Sequence, residues 1–472
     1  MTEAKKGFSL KNFLSLDGWR AFLMSNAYPP LVCVLVLFGN LTSLDYYVNF
    51  LVVGLLLLSL IICDSVKPVI IIALTFIYQI SIPHAPSYPT YSDFFFSGWR
   101  KPVSIVIISL IAFGLIYFFV KNRIYANLTP KKTPFLFSLT AFSVALMLNG
   151  AFSPDWTYKN LIFAFLNTLV YFFLFLIFYH GLSGSEKTQD LVKYFAYISL
   201  LIALVIICEM AHLFITEERI FVDGAIDKER VALGWGIWNL IGTSLSVLIP
   251  VLFLGVMNNR YPWLYFAVAT LTYVFAVLSM SRNALVFSTL AYGASVLICC
   301  FAGKYKKVFR IITLLGIGAL ILFGIVFFGK IKMILGDYFE RGFSDNGRYA
   351  LWQLAVDTFK KSPVFGNGFY GFFTDAVFEF GAVPRMAHNT VLQILSSMGI
   401  FGIIAYFWYR VETALPFFRR PTLVKTMLGI SILVFLFGSL LDNFVFNIHP
   451  PLYYLVALAI ACHSDREEMP QI

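Results

Sequence analysis

The sequence predicts an all-α, polytopic transmembrane helix bundle with one large external loop that itself contains helices. Three observations predict it. Of 472 residues, 59% are hydrophobic and only 13% charged, and the mean hydropathy of +0.81 is far from that of a soluble domain. Apolar runs long enough to cross a bilayer recur along the chain, giving about 12 to 14 spans. Lysine and arginine cluster in alternate connections, as they do in the loops of a multi-span protein.

The elements follow in chain order. Segment 1–27 mixes Lys, Phe, Leu and Trp but lacks a compact basic region, an apolar stretch and a cleavage site in succession. It reads as a cytoplasmic or interfacial helix rather than a removed signal peptide. The bundle at 28–328 holds spans near 28–44, 47–63, 68–83, 102–120, 134–152, 160–180, 192–215, 234–256, 262–280, 284–302 and 311–328. A large external loop occupies 329–389, spans near 390–409, 426–446 and 450–463 follow, and 464–472 is a cytoplasmic tail. Within the loop, "DNGRYALWQLAVDTFKKSP" carries a helix-start signal at Asp345 and Asn346 and a stop at Pro363. Trp352, Val356 and Phe359 share its apolar face.

Placing the N-terminus inside puts Lys5, Lys6 and Lys11, "KNRIYANLTPKK", "EKTQDLVK", "NNR", "KYKKVFR" and "YRVETALPFFRRPTLVK" on the cytoplasmic side together. The net charge of +10 is therefore mostly topological and calls for no nucleic-acid partner. Segments 84–101 and 216–233, the turn at Ser281 and Arg282, and the 329–389 loop then face outward. Cys33, Cys63, Cys208, Cys299, Cys300 and Cys462 all fall in or beside spans and read as small packing residues, not as disulfides or metal ligands.

The outward arginines are the first chemical signal. Arg348 stands in the first turn of the loop helix, where the partly positive helix end disfavours a cation and favours an anion. Arg282, in "VLSMSRNALVF", places a permanent charge in a turn of about three polar residues between two spans, where it wants an anionic partner. Arg230 precedes the span that carries Asn239. Taken singly, these are a solvated charge, a lipid-headgroup contact and a salt bridge to Asp227 or Glu229. Taken together, they describe a site for a phosphate or diphosphate at the membrane surface, since guanidinium groups bind phosphate oxygens bidentately.

Two motifs are set aside. "GNGFYG", Gly366 to Gly371, fits a dinucleotide-binding pattern but has no strand before it, so tight turns explain its glycines better. Glu209 and His212 have the spacing of a carboxylate-bridged metal site without the second copy such sites need, and read as a polar pair facing the bundle interior. No metal and no cofactor is expected.

"SMSRNALVF", "NGRYALWQLAVDTFKKSPVFGNGFYGFF" and "AHNTVLQILSSMGIFG", in this order, resemble the shared core of the O-antigen ligase and O-antigen polymerase superfamily. "RVALGWGIWNLIGTSLSVLIP" is similar to its arginine and asparagine segment, so the resemblance covers roughly 225 to 410. It implies a GT-C-like membrane glycosyltransferase of the bacterial inner membrane. Such an enzyme takes a glycan from undecaprenyl diphosphate on the outer face and passes it to a glycan, lipid or wall-polymer acceptor. About fourteen spans exceed the twelve typical of the ligases. The resemblance makes His388 the general base, with Arg230, Arg282 and Arg348 on the diphosphate and Asn239 in support. Asn389 would cap the following helix or orient His388, and Asp442, by approximate position, would orient the base or the acceptor. Two rivals remain: a transporter of the same lipid-linked glycans, which would favour ionisable groups deep in the membrane, and a noncatalytic scaffold of an export complex.

Overall fold

A computed structural model describes residues 15–81, 98, 100–154, 156–182, 187–336, 338, 347–372, 375, 386–419, 421–447 and 449–467. Lys5, Lys6, Lys11, Asp345, Asn346 and the last five residues lie outside these, as does most of segment 84–101.

The described chain is almost wholly helical. Helix α1 (Leu16–Leu23) is capped by the Ser15 side chain and meets α2 (Tyr28–Thr42) at a 77° bend, so it lies across the direction of the first span. There follow α3 (Asp45–Ile62), α4 (Lys67–Thr75), α5 (Arg100–Lys121), α6 (Leu136–Met147), α7 (Tyr158–Gly181, with a π-helical stretch) and α8 (Thr188–Thr216). The second half holds α9 (Trp238–Asn258), α10 (Pro262–Leu278), α11 (Arg282–Phe301), α12 (Lys306–Ile334), α13 (Arg348–Lys361), α14 (Thr390–Phe418), α15 (Leu423–Leu441) and α16 (His449–Glu467).

Among the described residues eight helices are long and apolar enough to cross a membrane, ten if each bent pair is one span, and α6 and α10 are shorter apolar helices. Each span read from the sequence has its helix, but not each helix has the length of a full span. Helix α4 stops at Thr75, and the chain reaches the far end of the bundle through turns at 76–81, where Asn40 donates to the Tyr78 and Ile80 carbonyls. Helix α12 runs past 328, the expected start of the external loop. The extension packs Met333 onto the turn at Gly224 and is followed by Tyr338, whose hydroxyl donates to the Val277 and Ser281 carbonyls.

Helix α9 is buried along nearly its whole length, and α16 is buried from Pro450 to Ser464, so these two form the centre. The strands lie ahead of α9, where Phe221–Val222 pairs with Ala225–Ile226 and Ala232–Leu233 with Gly236–Ile237 as two short antiparallel hairpins. Gly242 sets the packing against α10 and α11, because a Cβ there would come within 2.4 Å of Ala284 and 2.5 Å of the Ser279 hydroxyl.

The buried face of α13 is Leu351, Ala355 and Thr358, and the residues expected there, Trp352, Val356 and Phe359, are half-buried flanks. Ala355, Phe372 and Ala387 form a small cluster with Leu354 and Leu392, which seats α13 against the start of α14.

Helix α14 is broken at Gly399, whose φ of +64° and ψ of −161° interrupt its hydrogen bonds. Residues 363–368 repair the break. Asn367 and Gly368 donate their backbone N–H groups to the Ser396 and Ser397 carbonyls, and Ile400 and Phe401 donate to the Pro363 and Val364 carbonyls. Broken helices persist in membrane proteins only where protein satisfies the freed backbone, as it does here. Gly366 is obligatory, since a Cβ would fall 2.2 Å from the Ser397 carbonyl carbon at a φ of +72°. The same loop reaches α6 and α7: the Gly150 N–H donates to the Phe365 carbonyl, the Ser153 hydroxyl to Asn367, and the Tyr370 N–H to Asn160. The glycines of "GNGFYG" thus serve backbone contact, as the tight-turn reading expects.

Candidate functional site

His388 has a left-handed backbone, φ +48°, which histidine tolerates better than most side chains. Asn389 is then extended and caps α14, its side-chain oxygen accepting the Leu392 N–H at 3.1 Å. Of the two roles expected for Asn389, capping is the one its contacts fulfil. The same device precedes α11: Met280 is left-handed at φ +60°, and the Ser281 hydroxyl oxygen accepts the Ala284 N–H at 3.2 Å. Gly347, φ +77°, turns the chain into α13. His388 is thereby presented at a helix start instead of being wound into the helix.

The decisive partner of His388 is Asp442, the residue that ends α15. His388 Nδ1 lies 3.1 Å from Asp442 Oδ1, with about a third of the histidine side chain exposed. Asn239 Nδ2 donates to the other oxygen, Oδ2, at 2.9 Å, and the Ser281 hydroxyl donates to Asn239 Oδ1 at 2.8 Å. A chain of side-chain bonds thus joins the starts of α14, α9 and α11 at the end of α15. Burial alone would raise the Asp442 carboxyl, but the His388 hydrogen bond and charge, the Asn443 N–H and the charge of Arg348 hold it below its usual range. Asp442 is therefore an anion at neutral pH. An ionised carboxylate only accepts, so Nδ1 carries a proton whether the ring is charged or neutral, and it is the neutral ring that presents a lone pair at Nε2.

Gln393 escaped the reading of the sequence. Its side-chain oxygen accepts the Ala387 N–H at 2.9 Å and the Asn443 side-chain N–H at 3.1 Å, and its nitrogen donates to Ser397 at 3.0 Å. It braces the residues on either side of the His388–Asp442 pair. Its only trace in the sequence is one amide in a mostly apolar run; its full burial shows in the structure alone.

The arginines divide. Arg282 and Arg348 are the first residues of α11 and α13, and Arg348 lies close enough to act on the Asp442 charge. Arg230 sits in a one-turn helix ahead of the hairpin that leads to α9, with Asp227 at 3.8 Å, the local partner expected for it as an ordinary loop residue. Glu209 and His212 do not form an inward pair. Glu209 is buried and accepts the Trp235 indole N–H at 2.7 Å, whereas His212, about 60° round α8 from it, is exposed at the edge of the packed face. Five of the six cysteines are buried, Cys208 is exposed, and none of the six forms a disulfide.

Residues 265–407 match the O-antigen ligase family model. This match supports membership in the O-antigen ligase superfamily. The apolar helices and the match point to a multi-pass membrane protein of broadly ligase or polymerase type, and the family implies a lipid-linked glycan and an acceptor as substrates in general. The O-antigen ligase match takes in Arg282, Arg348, His388 and Asn389, while Arg230, Asn239 and Asp442 lie beyond it. No curated protein matches the sequence.

Proposed function

We propose that the protein is an inverting, metal-independent glycosyltransferase that moves a glycan from undecaprenyl diphosphate to an acceptor hydroxyl on the outer face of the bacterial inner membrane. The observation that carries the reading is the His388–Asp442 pair at the point where several helices begin. His388 Nε2 takes the proton of the acceptor hydroxyl as its oxygen attacks the anomeric carbon. The bond from that carbon to the diphosphate oxygen breaks, its electron pair leaves with the diphosphate, and attack from the opposite side inverts the configuration. Asp442 holds the ring and stabilises the imidazolium that forms.

The leaving group gathers negative charge as it departs. Arg282 and Arg348 supply guanidinium groups, and the N-terminal ends of α9, α11, α13 and α14 supply the partial positive charge of their helix dipoles. This is the charge that a divalent cation would otherwise provide. Arg230 completes the set if it leaves Asp227 for the donor.

The test is reconstitution of the full chain in lipid with a polyprenyl-diphosphate glycan donor. Transfer that continues in EDTA and gives a product of inverted anomeric configuration by NMR is the expected result; retention, or activity restored only by Mg²⁺ or Mn²⁺, overturns it. A gel profile of surface glycan from a deletion strain separates the two acceptor classes. Long lipid-linked chains accumulate if a ligase is lost, and single repeats persist if a polymerase is lost.

Transport of the same donor draws support from one observation: Glu209 is buried inside the bundle with Oε1 unpartnered among the described residues. Movement of donor across proteoliposomes without acceptor, abolished in Glu209→Gln and preserved in His388→Ala, would establish that reading instead.

A further inference from the structure

The end of the bundle opposite His388 carries a second constellation, and it uses the same helices. Helix α9 begins beside Asn239 and ends at Asn258, about 30 Å away at 1.5 Å per residue, and α11 runs likewise from Arg282 to Phe301. Where α9 turns into α10 and α11 turns into α12, the two connections meet in an open cleft of about 370 Å³ lined by Arg260, Tyr261, Pro262, Trp263, Leu264 and Tyr305. Trp263 stacks on Phe309 with ring centres 5.8 Å apart and lies 5.7 Å from Tyr305, so the aromatic wall is fixed by packing.

The charge around this cleft has one sign. Arg260 and Lys304 stand in the two connections and Lys306, Lys307 and Arg310 in the first turns of α12, and the sequence has no acidic residue between Glu229 and Asp337. Among the described residues none of the five makes an ion pair with a carboxylate. Arg260, which lines the cleft, lies over the Tyr261 ring at 5.4 Å, and Lys304 lies over the ring of Tyr305, a cleft residue, at 5.6 Å. Beside it the surface turns apolar: Leu264 is 50% exposed and Phe301 71% exposed.

We infer that this cleft binds the headgroup of an anionic glycerophospholipid in the membrane leaflet opposite the His388 site. Arg260 and Lys304 meet the phosphate, Trp263 and Tyr305 occupy the level of the headgroup and glycerol, and the acyl chains run along Leu264 and Phe301. Each part answers a different part of one lipid molecule: cations for its phosphate, amphipathic rings for the polar-apolar boundary, aliphatic and aromatic surface for its chains. A soluble phosphate compound would use only the first. The site is independent of the reaction proposed above, so either can fail without the other.

The experiment is native mass spectrometry of the full-length protein in detergent, titrated with phosphatidylglycerol and with phosphatidylcholine of the same chains. The wild type should retain phosphatidylglycerol preferentially, and Arg260→Ala with Lys304→Ala should weaken that retention roughly tenfold to thirtyfold, the scale for two juxtamembrane cations. Lys131→Ala with Lys132→Ala, which removes two basic residues from another connection at the same end, should leave it within about twofold. Melting of the lipid-free variants at the wild-type temperature shows that both are folded. Equal retention of phosphatidylcholine, equal loss in the Lys131 and Lys132 variant, or displacement by millimolar glycerol phosphate would each overturn the assignment.

Discussion

His388 and His449 stand at the starts of two helices and differ in almost everything that decides whether an imidazole can move a proton. His449 opens α16 in full burial: Nε2 lies 3.0 Å from the Leu74 carbonyl, Nδ1 3.4 Å from the Tyr78 hydroxyl, and the rings of Tyr78 and Tyr453 pack at 4.5 and 5.0 Å. Both of its nitrogens are committed to the protein. His388 commits only Nδ1, to the Asp442 carboxylate, and keeps about a third of its side chain accessible. A histidine becomes a base when one nitrogen is held by an acceptor and the other is left for the substrate.

The sharpest way to break this contrast is His388→Ala. Glycan transfer should fall by about 10²- to 10⁴-fold, the scale for a lost general base, while donor binding stays near the wild-type level. Robust transfer by that variant would end the proposal. Asp442→Asn comes next. It keeps the shape but offers an amide that can donate to Nδ1, favouring the wrong tautomer, and should lower turnover by roughly 10²-fold with little change in donor affinity. If turnover is unchanged, Asp442 is a structural partner alone.

The surroundings sharpen the contrast further, since Arg348 acts on the Asp442 beside His388 and Arg282 follows Ser281 of its hydrogen-bonded chain, whereas aromatic rings surround His449. Arg282→Lys should lose nearly as much transfer as Arg282→Ala, about 10²-fold, because a point charge does not reproduce a bidentate contact with diphosphate. Near-normal donor binding and turnover in both would assign Arg282 to a lipid headgroup. The smallest effect on activity belongs to His449→Ala. It should leave transfer per folded molecule within about twofold while lowering stability by about 1 to 3 kcal/mol, measured by thermal unfolding in detergent, through the buried void and the unpaired Leu74 carbonyl. Transfer falling further than the folded fraction does would show that the buried histidine also serves the reaction.

Hydropathy made the bundle legible, because crossing lipid demands long apolar helices whatever the packing around them. The start of α14 was legible because Asn389 marks it as a cap, whereas Ser281 was read as part of a turn and its capping of α11 shows only in the structure. The pairing of His388 with Asp442 was only indicated, because contact between residues 54 apart is a product of tertiary packing and leaves no local pattern. Gln393 was overlooked for a related reason: one amide in an apolar run has no period, and its purpose shows only when Ala387 and Asn443 lie against it. The π-helical stretch of α7 and the break in α14 were not legible either, since propensity continues through both and the departure is enforced by distant partners. The break at Gly399 depends on backbone groups of residues 363–368 that hydropathy assigns to a loop.

That break also sets an order of assembly. The strip at 363–368 is gripped from one side by Gly150 and Ser153, made early in synthesis, and from the other by residues 396–401, made late. The chain emerges from its N-terminus, so the first grip can close while the second half of α14 is still being synthesised. The helix that carries His388 at its head can reach its final shape only after the strip has docked. A protein whose first half has failed to fold would therefore lack the template on which its reactive end is completed, and an unassembled copy would be an inactive one.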